Sequence, residues 1–221
     1  MTNLLVPIGV ETITLEPNAP AAETVRTERA DAQANRARIL AAAEQLFAEK
    51  GVEQVNMVEI GRAAGIGQGT LYRRFAGKAE LCQALLDTQM RDFQDATLNQ
   101  LRSMSGAGVL RLAQLRWFLG AVVEFHEHHL PMMRAIFGDT SPPVGFEPPP
   151  QWWARRTIAG LLTSAQRHGE IAAAVDLPYF VDALLALIHP FTLHTQRTNH
   201  GFTNERIVAG LTRIVDALGK D

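Results

Sequence analysis

The chain has 221 residues, of which 47% are hydrophobic and 20% charged, with a formal net charge of −2. That length supports one or two domains with a sizeable core, and the composition is that of a globular protein. A near-neutral balance excludes a uniformly basic nucleic-acid binder, so any DNA site must come from a local cluster of positive charge.

Cys82 is the single cysteine, which excludes an internal disulfide and a multi-thiolate metal site and fits a reducing cytoplasm. The first twenty residues have neither a basic start nor a long apolar run, so a secretory leader is not expected. No stretch approaches the roughly 18 consecutive apolar residues needed to span a bilayer, so no membrane partner is expected.

Residues 1 to about 28 show no sustained period, contain Pro7, Pro17 and Pro20, and read as a flexible arm. A first helix is expected from about Asp31 to Lys50, with Ile39, Ala43, Leu46 and Phe47 at helical spacing and Gly51 as its stop. A short second helix starts at Asn56, where Asn56 and Glu59 have capping-box spacing, and ends at Gly65. A third runs from about Gln68 to Phe75, and a long fourth begins at Lys78.

A fifth helix is expected over about Val109–His128, and Pro131 suits the first turn of a short sixth. The proline-rich segment Asp139–Pro150 reads as loop. A seventh helix covers about Gln151–Arg167, and Asp176 and Thr203 cap an eighth and a ninth. Pro190 should kink or end the eighth. With no alternating strand pattern, the fold class is all-α with about nine helices.

The segment Met57–Leu81 carries the functional signal. Gly65-Ile66-Gly67 lets one helix cross close to another, as a helix-turn-helix requires. From Arg62 to Lys78 there are four basic side chains (Arg62, Arg73, Arg74, Lys78) and no acidic one. Lys78 also opens a helix, where backbone N–H groups can take a phosphate. Alone, such residues read equally well as a solvated basic face.

Their setting resolves that ambiguity. Arg-Ile-Leu-Ala-Ala-Ala at 38–43, Leu46-Phe47, Gly51, Ile60, Ala-Ala-Gly at 63–65, Gly-Thr-Leu-Tyr at 69–72, Phe75, Lys78 and Leu81 together resemble the tetracycline-repressor-like (TetR) family over about residues 36–86. The resemblance implies that Gln68, Gly69 and Thr70 open the recognition helix in the major groove. It implies that Tyr72 and Lys78 contact phosphates, that Arg73 reaches a base or a phosphate, and that Leu71 and Phe75 are core. Asn56, Gly61, Arg74 and Gly77 depart from the commonest family pattern. Asn56 keeps the cap, Gly61 should loosen the second helix by under about 1 kcal/mol, and Arg74 adds charge to the DNA face.

The expected organisation is an arm at 1–28, a DNA-binding domain at 29–77 with its helix-turn-helix at about 57–76, and a ligand-binding and dimerisation domain at 78–221. The expected function is a transcriptional regulator, a repressor released from a near-palindromic DNA operator by a small hydrophobic effector. A homodimer is expected through the eighth and ninth helices, whose stripes are Phe180, Leu184, Leu187 and Ile188, and Ile207, Leu211, Ile214 and Leu218. Trp117, Phe118, Met133, Phe137, Trp152 and Trp153 are candidates to line the effector pocket. Alternatives are an orphan dimeric DNA binder without effector and an α-helical enzyme, for which no catalytic set is evident. His126 and His129 lie three apart on one helix face, but no companion ligand set supports a metal. No cofactor is expected.

Overall fold

A computed structural model describes residues 19–137 and 149–219. Among them are nine helices: α1 (Ala19–Lys50), α2 (Met57–Ala64), α3 (Gln68–Arg74), α4 (Lys78–Gly106), α5 (Arg111–Phe137), α6 (Pro149–Arg167), α7 (Leu177–Leu187), α8 (Pro190–Thr198) and α9 (Asn204–Asp216). The fold is all-α; the described residues hold no strand, only an isolated bridge between Ile171 and Gly219.

The expected number of helices arises through two opposite differences. The fifth and sixth expected helices are one, because α5 continues through Pro131. Proline removes one main-chain hydrogen bond, but Met132 and Met133 beyond it are buried and hold the last turns in place, while the proline ring faces solvent. The eighth expected helix is two, because α7 ends at Leu187 and Pro190 restarts the chain as α8, whose axis is turned by 48°. Among the described residues no single helix is long and apolar enough to cross a membrane.

α1 begins at Ala19, well before the expected Asp31. Pro20 costs nothing in a first turn, and the run that follows is rich in Ala, Glu and Arg, good helix formers without an apolar stripe. Periodicity therefore misses it. The remainder of the expected arm, residues 1–18, lies outside the described residues, as do 138–148 of the proline-rich segment; its last two residues are helical.

Two cores result. The N-terminal core joins Ile39, Ala43 and Phe47 of α1 to Ile60, Leu71, Phe75, Leu81 and Leu85. The larger core gathers Leu115, Phe118, Leu119 and Val122 of α5 with Ile158 and Leu162 of α6, Leu184 of α7, Leu193 of α8 and Ile207, Leu211 and Val215 of α9. The N-terminus of α5 is capped from a distance, since Glu170 accepts from the main-chain N–H groups of Arg111 and Leu112 at 2.8 and 2.9 Å. A small cluster of Leu86, Met90, Phe125 and Met133 joins α4 to α5 between the two cores.

Placement inside the subunit limits what the two expected dimer stripes can offer a partner. Leu184, Ile188, Ile207, Leu211 and Leu218 are buried in the larger core, and Phe180 and Leu187 are packed against it. Of the two stripes only Ile214 is exposed; Tyr179 on α7 and Phe191 on α8 are exposed as well.

Candidate nucleic-acid interface

The basic segment is presented by two short helices whose geometry is fixed at both ends. Asn56 Oδ1 accepts from Glu59 N at 3.0 Å, and Glu59 returns the bond by accepting from Asn56 N at 3.1 Å. This is the capping box expected from the spacing. Lys50 at the end of α1 adds an ion pair to Glu59 at 3.0 Å. The cap hydrogen bond and then Lys50 hold the Glu59 carboxyl below the usual carboxylate range.

The other end of α2 carries a device the sequence reading missed. Gly65 closes the helix in the left-handed conformation, φ 63°. The Arg38 guanidinium of α1 donates to Ala64 O at 2.6 Å and Gly65 O at 3.3 Å. It thereby satisfies carbonyls left open at the helix end and places positive charge against the negative end of the helix dipole. Arg38 stands in the quoted family stretch, but nothing in the sequence says which carbonyls lie within its reach.

α3 is then docked by Leu71, fully buried, and Phe75. The close crossing is made by Gly61: a Cβ there would stand 2.6 Å from Gln68 Nε2, 3.2 Å from Leu71 Cδ2 and 3.3 Å from Ile66 O. The absent side chain sets the distance between the helices, a role beyond the expected loosening of α2. Gln68 itself rests over this gap and donates weakly to Val58 O at 3.4 Å.

The outward face of the pair carries the candidate DNA contacts. Gln68, Gly69, Tyr72, Arg73 and Arg74 are exposed and Thr70 is half-buried. Lys78, at the N-terminus of α4, extends its ammonium to Glu53 O at 3.2 Å, where it borders an open groove shared with Tyr72, Arg62 and the start of α2. Arg36 of α1 lies over the Phe75 ring at 5.6 Å, adding a cation to the same end of α3. Glu80 orders the turn before α4 by accepting from Ala76 N at 2.6 Å. Tyr72 and Lys78 thus border one groove, and Gln68, Gly69, Tyr72, Arg73 and Arg74 are exposed on α3.

The candidate effector residues are not brought together in this way. Phe118 is fully buried core and Trp152 is exposed. Trp117 is packed against the larger core. Trp153 lies edge-on to Phe93 and Phe118, at 5.7 and 5.3 Å, with its indole N–H buried and unpartnered. Met133 is in the cluster between the cores, and the Phe137 side chain lies outside the described residues. Of the expected histidine pair, His129 is buried, stacks on Phe125 at 4.0 Å and uses Nδ1 on Phe125 O at 2.7 Å. Among the described residues no group of three or more His, Cys, Asp or Glu is placed to hold a metal ion. Burial pushes the Cys82 thiol up to about 11, so it is inert at neutral pH.

Residues 39–85 match the family model for bacterial regulatory proteins, tetR family. HTH-type transcriptional regulators of Staphylococcus aureus strains USA300 and MRSA252 are each 45% identical over 65 residues, which is 29% of this chain and 35% of theirs. The chain thus matches about a third of the length of these curated relatives. Among solved structures, a TetR-family transcriptional regulator from Pectobacterium atrosepticum aligns with a TM-score of 0.64 at 21% identity, over 87% of this chain and 98% of its own. NalD from Pseudomonas aeruginosa, the secondary repressor of the MexAB-OprM multidrug efflux pump, aligns at 0.54 and 21% identity, over 86% and 99%. FadR from Bacillus subtilis in complex with stearoyl-CoA aligns at 0.52 and 18%, over 83% and 97%. These three share the fold.

Proposed function

We propose that this chain, whose residues 39–85 match the model of the tetR family of bacterial regulatory proteins, is a member of that family: a cytoplasmic, dimeric repressor that leaves its operator when a small molecule binds. It is a DNA-binding regulator and not an enzyme. The observation that carries the reading is the exposure of Gln68, Tyr72, Arg73 and Arg74, on a helix pair locked by Asn56, Glu59 and Arg38, beside the half-buried Lys78 at the start of α4. A local positive face on a net-negative chain attracts phosphates only where the recognition helix is presented, and rigid mounting limits the ordering cost of binding. Gln68, Gly69 and Thr70 are assigned to the major groove, Tyr72 and Lys78 to phosphates, and Arg73 to a base or phosphate, with Arg74 adding charge.

The working unit is a homodimer with two recognition helices about one DNA turn apart or a multiple of it, so the operator is near-palindromic. Because the apolar stripes serve the subunit core, the exposed residues Tyr179, Phe191 and Ile214 of α7, α8 and α9 are the surfaces offered to a partner. An effector role for residues 78–221 is supported by their bulk, which far exceeds what DNA binding requires. A family-fold relative crystallised with an acyl-CoA supports it further.

Band-shift titration at several salt concentrations, with duplex DNA flanking the gene and with random duplex, tests the reading. Lys78→Ala should weaken both equally and reduce the salt slope by about one phosphate contact. Unchanged affinity for both DNAs would remove Lys78 and this face from the interface.

A further inference from the structure

Where α2 meets α3, Gly61 leaves a gap that the tip of Gln68 fills. Gly61 is buried, and a Cβ there would stand 2.6 Å from Gln68 Nε2, closer than two such atoms can come. The amide therefore occupies space that an alanine would take. Gln68 is the first residue of α3 and is exposed. Its Nε2 lies 3.4 Å from Val58 O on α2. A bond of that length contributes little, but it shows which end of the carboxamide faces α2. Only the nitrogen donates to a carbonyl, so the NH2 group is on the α2 side.

A carboxamide braced in this way still has a base-pairing edge to offer. Its nitrogen carries two hydrogens, and bidentate pairing with adenine in the major groove uses only one of them, donated to N7, while the oxygen accepts from the N6 amino group. The second N–H is left over, and a main-chain carbonyl behind it can accept it. Reading adenine and resting on Val58 O are therefore compatible. Guanine presents acceptors at both N7 and O6, so meeting it bidentately would take both N–H groups and draw the amide off Val58 O. This part of α2 also belongs to the DNA-facing side: Val58, 49% exposed, lines the open groove with Arg62, Tyr72 and Lys78. An unbraced glutamine would lose rotamer freedom on meeting a base, and a resting place against α2 lowers that cost.

We propose that Gly61 is a positioning residue for base recognition: by leaving room over α2 it lets the Gln68 carboxamide brace on Val58 O and present its oxygen and one N–H to an adenine. The inference rests on the DNA-binding role proposed for α3. It adds the base that Gln68 reads, and a buried residue of α2 that governs the reading without touching DNA.

The experiment selects duplexes from a random-sequence pool with the full-length wild type, Gly61→Ala and Gln68→Ala. The wild-type consensus is then titrated with 7-deazaadenine, which lacks the N7 acceptor, at each adenine in turn. In the wild type one adenine of each half-site should lose roughly five- to thirtyfold in affinity on that change. Gly61→Ala, whose methyl pushes the amide off Val58 O, should reduce the penalty at that adenine to less than about twofold, as Gln68→Ala does. The other consensus positions, and binding to random duplex, should stay within about twofold of wild type. An undiminished adenine penalty in Gly61→Ala overturns the proposal. A uniform loss at every position overturns it too, because Gly61 is then a packing residue only, and so does a Gln68-dependent position that is not adenine. A wild type that selects no consensus at all defeats the DNA-binding reading itself, whereas a consensus indifferent to Gly61→Ala defeats this inference alone.

Discussion

Gly61→Ala measures how tightly α3 is held on α2. An alanine in place of glycine inside a helix gains about 1 kcal/mol of propensity. Against it stand three contacts that the new methyl would make. Gln68 Nε2 at 2.6 Å is the tip of a flexible, exposed side chain and can swing away, at the cost of its weak 3.4 Å bond to Val58 O. Leu71 Cδ2 at 3.2 Å belongs to a fully buried side chain, and Ile66 O at 3.3 Å to the turn between the helices; both must yield by a few tenths of an ångström. Overpacking of this kind costs typically about 1–3 kcal/mol. The net expectation is a loss of about 1 kcal/mol, with Gln68 displaced from its rest over Gly61. Urea denaturation of the wild type, Gly61→Ala, Gln68→Ala and the double variant gives the answer as a cycle. Gln68→Ala should recover only a small part of the loss, because Leu71 and Ile66 remain. A stabilisation near the full propensity gain would refute the reasoning, since it would mean that the helix crossing is not limited by a side chain at position 61.

Two further perturbations probe the same architecture. Arg38→Ala should cost roughly 1–3 kcal/mol, the worth of charge-assisted bonds to the Ala64 and Gly65 carbonyls, and should speed amide exchange in α2 and α3; Arg38→Lys should restore only part, because it lacks the fork. Stability should also fall as the solution is acidified from pH 7 to 5. His126 is neutral when folded, with its pKa lowered from 6.5 to about 4, so the unfolded chain takes up the proton first, and stability present above about pH 6.5 is lost towards pH 4. For His126 alone the loss between pH 7 and 5 is at most about 2 kcal/mol. Thermal melts of wild type and His126→Phe should differ in this pH slope, and identical slopes would contradict the neutral buried imidazole.

Legibility in the sequence followed the locality of the physics. Caps at Asn56, Asp176 and Thr203 were readable because donor and acceptor lie within three residues of each other, and all three are made. The break at Pro190 was readable because proline acts on its own backbone. The continuity of α5 through Pro131 was not, since it depends on Met132 and Met133 finding burial among residues of other helices. The same holds for Arg38, whose carbonyl partners lie 26 and 27 residues away. In the larger domain, aromatic character alone cannot separate a fully buried Phe118 from an exposed Trp152. His126 of α5 and His194 of α8 line one narrow cleft although far apart in sequence, so no spacing rule could bring them together.

The end of α5 packs against both the larger core's neighbourhood and the N-terminal core on which α3 rests. α4 is one link, because Lys78 begins it beside α3 and Leu86 and Met90 of the same helix pack in the small cluster with α5. α5 adds a second. Met133 belongs to the small cluster with Leu86, Met90 and Phe125, while its neighbour Met132 is buried in the N-terminal core with Ile39, Phe47 and Leu85. Packed cores resist compression, so any displacement of the end of α5 would move the two methionines together. Met132 then shifts the α1–α4 packing on which α3 rests, and Met133 shifts α4 itself. Pro131, one residue earlier, lacks the hydrogen bond that would stiffen this turn against the rest of α5. A ligand acts through such a route only by binding the DNA-free arrangement more tightly than the DNA-bound one. A differential of about 1–3 kcal/mol lowers operator affinity roughly 5- to 150-fold, which is enough to switch a repressor working near its dissociation constant.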